Sequence, residues 1–153
     1  MARRIKPEQI AIQNANAPTV VLAGRANVGK STLFNRIAGR RAIVSPIAGT
    51  TRDLNIARAS HGDRDFTLID SGGLESYSQE LASQRAMEKA LRAIGMADLV
   101  VLVMDGREGV TGGDREALEL IRETGRPVIV AANKVDTRAT EAVAADAYAL
   151  GIE

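Results

Sequence analysis

The stretch Gly24-Arg25-Ala26-Asn27-Val28-Gly29-Lys30-Ser31 has the residue types needed to grip a polyphosphate. Such a ligand calls for many backbone N–H donors converging on it, and so for a loop that wraps tightly. Gly24 and Gly29 let the backbone come close with no Cβ in the way. Lys30 supplies a point charge between the terminal phosphates. The Ser31 hydroxyl is a ligand for Mg²⁺, which prefers oxygen donors and keeps several waters. With Thr32, these residues are the candidate phosphate contacts.

About a hundred residues later stands Asn133-Lys134-Val135-Asp136, a candidate base reader. One carboxylate can accept two hydrogen bonds from adjacent donors. Guanine presents an N1–H and a 2-amino group side by side; adenine presents no such pair and would leave Asp136 desolvated and unpaired. Stranding a polar group in this way discriminates by about 10⁴–10⁵. Lys134 can lay its aliphatic stem across a base, and Asn133 can tie this loop back to the phosphate loop.

Between the two lies Asp70-Ser71-Gly72-Gly73, followed by Leu74. Asp70 is placed to hold Mg²⁺ through a water, and Gly73 to offer its N–H to a γ-phosphate. Upstream, Ser45 to Asp53 is rich in turn residues, and one of its threonines can complete the Mg²⁺ shell. Thr51 is favoured, with Thr50 the alternative. Loops that close on γ-phosphate and Mg²⁺ and relax after hydrolysis are the usual physical basis of a switch.

Elements of the right kind flank these motifs. Thr19–Ala23 is a short β-branched and apolar run suited to a buried strand, and Thr32–Ala38 reads as a helix stopped by Gly39. Leu54–Ser60 and Asp65–Ile69 read as neighbouring strands joined through His61-Gly62-Asp63-Arg64, with His61 an exposed loop residue. Gln79–Ile94 carries Leu81, Met87, Leu91 and Ile94 at helical spacing. Leu99–Met104 is a continuous apolar run, Asp114–Thr124 a helix stopped by Gly125, and Pro127–Ala132 a buried-strand pattern. Ala139–Leu150 reads as one final helix. Strands alternating with helices predict an α/β fold with a mostly parallel central sheet and helices on both faces. The base reader then sits at a strand's carboxyl end, where open α/β sheets bind ligands.

Composition fits one cytoplasmic domain, over 18–153, with an extension over 1–17. Cysteine is absent, which excludes disulfides and thiolate metal sites. A net charge of +1 gives no general attraction to nucleic acid or to an acidic membrane, so neither is expected as a partner, and a monomer is expected. No apolar run approaches the roughly 20 residues of a membrane span.

These residues resemble the first G domain of the tandem GTPases called EngA or Der, in the TrmE–Era–EngA group of P-loop (Ras-like) GTPases. The resemblance runs from about Val20 to Gly151. Beyond the three motifs it is carried by Ser31-Thr32-Leu33-Phe34-Asn35-Arg36, Ala48-Gly49-Thr50-Thr51-Arg52-Asp53, Ala97-Asp98 and Asp105-Gly106-Arg107-Glu108-Gly109. It implies GTP and GDP binding with Mg²⁺, hydrolysis of GTP, and service to large ribosomal subunit assembly. Ala26 stands where the family usually has proline, and Ser71 where threonine is commoner; neither removes a ligand.

The chain ends seventeen residues after Asp136. Family members continue into a loop that supports the guanine, a last strand and a closing helix. The expectation is therefore a fragment with weakened nucleotide affinity and with the Val128–Ala132 strand as an exposed edge, which residues 8–13 are suited to cover.

Ras-type enzymes orient the attacking water with a glutamine where this chain has Leu74. The chain is thus similar to GTPases with a hydrophobic residue there, several of which resemble potassium-activated enzymes. By that resemblance Asn27, with loop carbonyls around Ile47–Thr50, holds K⁺ near the β- and γ-phosphates. Lys30, Thr51, Gly73 and Asn27 form the expected catalytic set. The alternatives are a binding-only GDP/GTP switch that docks a partner, an Era-type or tRNA-modification GTPase, and a folded fragment that binds nucleotide weakly.

Overall fold

A computed structural model describes residues 17–39, 42–43, 54–72 and 81–152, with side chains from Gln84 onward in the last span. In chain order the elements are β1 (Thr19–Ala23), α1 (Lys30–Ala38), β2 (Ala42–Ile43), β3 (Asn55–His61), β4 (Arg64–Asp70), α2 (Leu81–Gly95), β5 (Leu99–Asp105), α3 (Gly112–Glu123), β6 (Val128–Asn133) and α4 (Arg138–Ala144). A 3₁₀ turn follows at Ala145–Leu150. The six strands lie in the order β2-β3-β4-β1-β5-β6. Strand β1 pairs in parallel with β4 and β5, and β5 in parallel with β6; the β2–β3 and β3–β4 pairs are antiparallel.

The two faces of the sheet follow from the two-residue period of a strand. Val21 and Ala23 of β1, Ile69 of β4 and Val100, Leu102 and Met104 of β5 point to one side. There Ala90, Ala93 and Ile94 of α2 and Ala117, Leu118 and Ile121 of α3 cover them. The residues between, Leu22, Leu68 and Val103, point to the other side, against Phe34 and Ala38 of α1. Alanines at 90 and 93 let α2 lie close to the strands. This is the expected mostly parallel sheet with helices on both faces.

Most boundaries agree with the sequence within two residues, and the differences have physical causes. The turn between β3 and β4 is tighter than the four-residue joint expected. His61 pairs with Arg64, leaving Gly62 and Asp63 as the loop with Gly62 at φ +58°; His61 is exposed, but ends a strand. Helix α3 begins two residues before Asp114, because Thr111 and Asp114 form a capping box: the Asp114 N–H donates to Thr111 Oγ1 and the Thr111 N–H to Asp114 Oδ2. The single helix expected over Ala139–Leu150 is instead α4 followed by the 3₁₀ turn. Helix α4 buries none of its residues, whereas Ala147 and Leu150 both reach the core. Residues three apart share a face in a 3₁₀ helix, so tightening the coil aims both inward.

Among the described residues β6 ends the sheet, in the edge position expected for it. Its Val128 and Val130 pack on the core while Ile129 is 45% exposed. Beside it an open groove of about 520 Å³ is lined by Ile129, Val130, Ala132, Val135, Tyr148 and Ile152, among others. Residues 8–13, proposed from sequence to cover this edge, lie outside the described residues.

Candidate functional site

The carboxyl ends of β1, β4, β5 and β6 bring three of the sequence motifs together. The phosphate loop leaves β1 at Gly24, whose φ of +142° is one that side chains rarely adopt. A Cβ at that position would collide with the backbone carbonyl of Val103 in β5. Gly29, at φ +94°, closes the loop and serves as the N-cap of α1 without any side-chain cap, so the N–H groups of the first turn face the loop. Asn27 also sits in the left-handed region, at φ +63°, and is exposed. Val28 is buried and anchors the loop in the core.

Lys30 is buried, and its ammonium donates to the Arg25 carbonyl, folding the side chain back over the loop. Ser31 and Thr32 are exposed on the first turn of α1. The Ser31 hydroxyl donates to Asp70 Oδ2 at 2.9 Å. Asp70, buried at the end of β4, also accepts the Gly72 N–H through Oδ1 at 3.1 Å. Ser71 is fully buried; its N–H continues the ladder to the Leu22 carbonyl at 3.0 Å. Two hard oxygen donors thus meet beside the phosphate loop, a donor set that fits Mg²⁺. No group of three or more His, Cys, Asp or Glu side chains that could by themselves hold a metal occurs among the described residues.

The second motif closes onto the first. The Asn133 amide donates to the Val28 carbonyl at 3.1 Å, and the Lys134 ammonium to the Asn27 carbonyl at 2.7 Å. This is the tie between the loops expected from sequence. It also explains Gly29, because a Cβ there would occupy the place of the Asn133 amide nitrogen. Lys134 has φ +62°, a left-handed turn just past the end of β6. Val135 packs over Gly106, and Asp136 is exposed, its N–H donating to Thr140 Oγ1 at 3.2 Å. Thr50, Thr51, Gly73 and Leu74, and the loop carbonyls around Ile47–Thr50, lie outside the described residues.

Residues that the motifs did not single out as contacts tie the site together. Asp105, buried at the end of β5, accepts from the Arg107 N–H at 3.0 Å, from Arg107 Nε at 3.2 Å and Nη2 at 3.0 Å, and from Lys134 Nζ at 3.0 Å. The Arg107 guanidinium, aided by its N–H and by Lys134, outweighs the cost of burial and holds the Asp105 carboxyl well below the usual carboxylate range. Arg107 is itself held above its ordinary value, chiefly by the same hydrogen bonds.

Arg25 turns away from the phosphate space. Its Nη2 donates to Glu108 at 2.7 Å and its Nε to Asp114 at 3.0 Å, which commits the guanidinium to the segment that opens α3. Burial works against the charged guanidinium, and the bonds to Glu108 and Asp114 more than offset it, leaving Arg25 above its ordinary value. Asp114 is fully buried and also accepts the Thr111 hydroxyl at 2.8 Å. The signals available in sequence were a charged residue closing an apolar run, for Asp105, and the Thr111-x-x-Asp114 capping pattern. Neither reveals its partner.

Comparison with known proteins agrees with this geometry. A family model described as 50S ribosome-binding GTPase matches residues 19–134. The chain is similar to the GTPase Der of Geotalea daltonii, 45% identical over 137 residues, and to that of Clostridium perfringens, 43% identical over 136. These alignments cover 89% and 88% of the chain and 31% of each relative, so the chain spans under a third of the length of those proteins.

Among solved structures it is similar to an Era variant of Aquifex aeolicus bound to GDP·AlF4⁻ (TM-score 0.71, 26% identity, 87% of this chain and 47% of that one). It is also similar to Era in complex with MgGDPNP and a segment of 16S ribosomal RNA (TM-score 0.69, 29% identity, 83% and 44%). With the family model spanning the phosphate loop, the Asp70 motif and the strands that carry them, and reaching Asn133-Lys134, the chain belongs to the 50S ribosome-binding GTPase family.

Proposed function

We propose that this domain binds GTP and GDP with Mg²⁺ and hydrolyses GTP to GDP and phosphate, as a conformational switch in large ribosomal subunit assembly in the cytoplasm. The observation that carries the reading is the closure of Asn133 onto Val28 and of Lys134 onto Asn27, which ties the candidate base-reading loop to the phosphate loop. The family described as 50S ribosome-binding GTPase, and the Era structure solved with ribosomal RNA, support the ribosomal setting.

In this reading the backbone N–H groups of residues 24–32 and the Lys30 ammonium hold the phosphates. Asp136 reads the guanine edge and Lys134 covers the base. Ser31, Asp70 and Thr51 hold Mg²⁺, which when bound neutralises charge on the β- and γ-phosphates. Gly73 senses the γ-phosphate, Leu74 stands in the place of a water-orienting glutamine, and Asn27 helps to hold K⁺. The exposed Asn27 side chain at the loop's rim is consistent with that last role.

Calorimetric titration with GDP and with ADP, in Mg²⁺ buffer containing K⁺, tests the core of the proposal. Micromolar GDP binding without ADP heat is expected, and a folded chain that binds neither would refute it. Turnover in Na⁺ equal to that in K⁺ would remove the K⁺ role alone. A binding-only switch is the second reading, because Leu74 cannot orient water. Single-turnover hydrolysis with and without ribosomal subunits separates the two.

A further inference from the structure

The Lys134 side chain is long and 30% exposed, yet its ammonium is held from two sides. One hold, the Asn27 carbonyl, belongs to the phosphate loop. The other is the Asp105 carboxylate, on neither nucleotide motif, which lies at the carboxyl end of β5 opposite Asn133 in the strand register. Asp105 cannot swing to find its partner. Its Oδ1 accepts the Arg107 N–H and Nε, its Oδ2 accepts Arg107 Nη2, and the side chain is 5% exposed. The turn that carries it is fixed too, because the Gly106 N–H donates to the Asn133 carbonyl at 2.7 Å and Val135 sits where a Cβ of residue 106 would be.

A free lysine loses rotamer freedom when a ligand immobilises it. Restraint imposed beforehand by the protein removes much of that cost from binding. We propose that Asp105 is the positioning residue of the base-side lysine: locked by Arg107, its carboxylate holds Lys134 in the geometry that receives the nucleotide before the nucleotide arrives. The inference rests on the reading of this chain as a guanine-nucleotide binder.

The test is calorimetric titration of the whole chain with GDP, for the wild type, Asp105→Asn, Lys134→Met and the double variant. Asp105→Asn keeps the shape and removes the charge. Its Kd is expected to rise about tenfold, in line with the worth of a hydrogen bond between charged groups, with stoichiometry unchanged. On the Lys134→Met background the same change is expected to shift Kd by less than about twofold, because its target is gone. A purely structural role predicts the reverse pattern, a lower stoichiometry from unfolded chains at unchanged Kd.

That pattern, an Asp105→Asn affinity equal to wild type, or an undiminished effect without Lys134 would each overturn the proposal. Arg107→Met gives an independent arm should Asp105→Asn fail to fold. It frees the carboxylate from the exposed side and is expected to raise Kd about threefold, and an unchanged Kd would refute the locking. Absence of GDP binding by the wild type would instead refute the function itself.

Discussion

Arg25 links the phosphate loop to α3 through Asp114, and removing its guanidinium tests whether that link holds the loop in place. In Arg25→Met the fully buried Asp114 would keep only the Thr111 N–H and hydroxyl. Breaking a buried ion pair from one side costs about 3–5 kcal/mol. Here Arg25 is 22% exposed, which screens the pair, and Asp114 keeps two donors, so the cost falls to about 2–3 kcal/mol.

At about 2–4 °C per kcal/mol for a chain of this size, the melting temperature should drop by roughly 5–10 °C. Urea unfolding followed by circular dichroism, without nucleotide because a ligand adds its own stabilisation, gives the number directly. The companion is Arg25→Met with Asp114→Asn, in which the orphaned charge is removed as well. The double variant should be more stable than Arg25→Met alone. A single-variant loss below about 0.5 kcal/mol, or a double variant that loses the sum of both single losses, would refute the reasoning.

Other consequences follow from the same geometry. Gly29→Ala forces a side chain into the left-handed region and displaces the Asn133 amide. It should cost about 1–2 kcal/mol of stability and, by a fluorescent GDP analogue, at least about tenfold in affinity, since it parts the two loops. Asp105 is held below its usual range when folded, so its contribution is complete above about pH 4 and drains away as pH falls through the folded value. Asp105→Asn should therefore show a shallower loss of stability below that pH in acid unfolding. Ser31→Ala removes one of the two oxygen donors beside the phosphate loop. The ratio of GDP affinities in Mg²⁺ and in EDTA should fall toward one, whereas an unchanged ratio would place the metal elsewhere.

The motifs were legible because each depends on residue types that the chain displays openly. Glycines at 24 and 29, a lysine and a hydroxyl announce a phosphate loop, and alternating apolar runs announce the strands behind it. What each glycine makes room for was not legible. Gly24 yields to the Val103 carbonyl and Gly29 to the Asn133 amide, and both neighbours come from segments far along the chain. Arg25 reads in sequence as one more loop residue, while its side chain is committed to Glu108 and Asp114, more than eighty positions away. The split of Ala139–Leu150 was hidden for another reason. Alanine-rich sequence supports either coil, and the choice falls to two contacts with the core, at Ala147 and Leu150.

The position of β1 in the centre of the sheet has a kinetic consequence. The earliest described strand is flanked by two parallel strands made later: Thr19 finds Thr67 in β4, and Val20 finds Leu99 in β5. Pairings of such separation demand closure of long loops before any contact rewards them, which makes folding slow. On a ribosome the sheet's middle must wait, unpaired, until its neighbours have emerged. The ties from Asn133 and Lys134 to Val28 and Asn27, 105 and 107 residues apart, wait longer still. A ligand seated between those two loops would clip an early-made segment of this fold to one made about a hundred residues later.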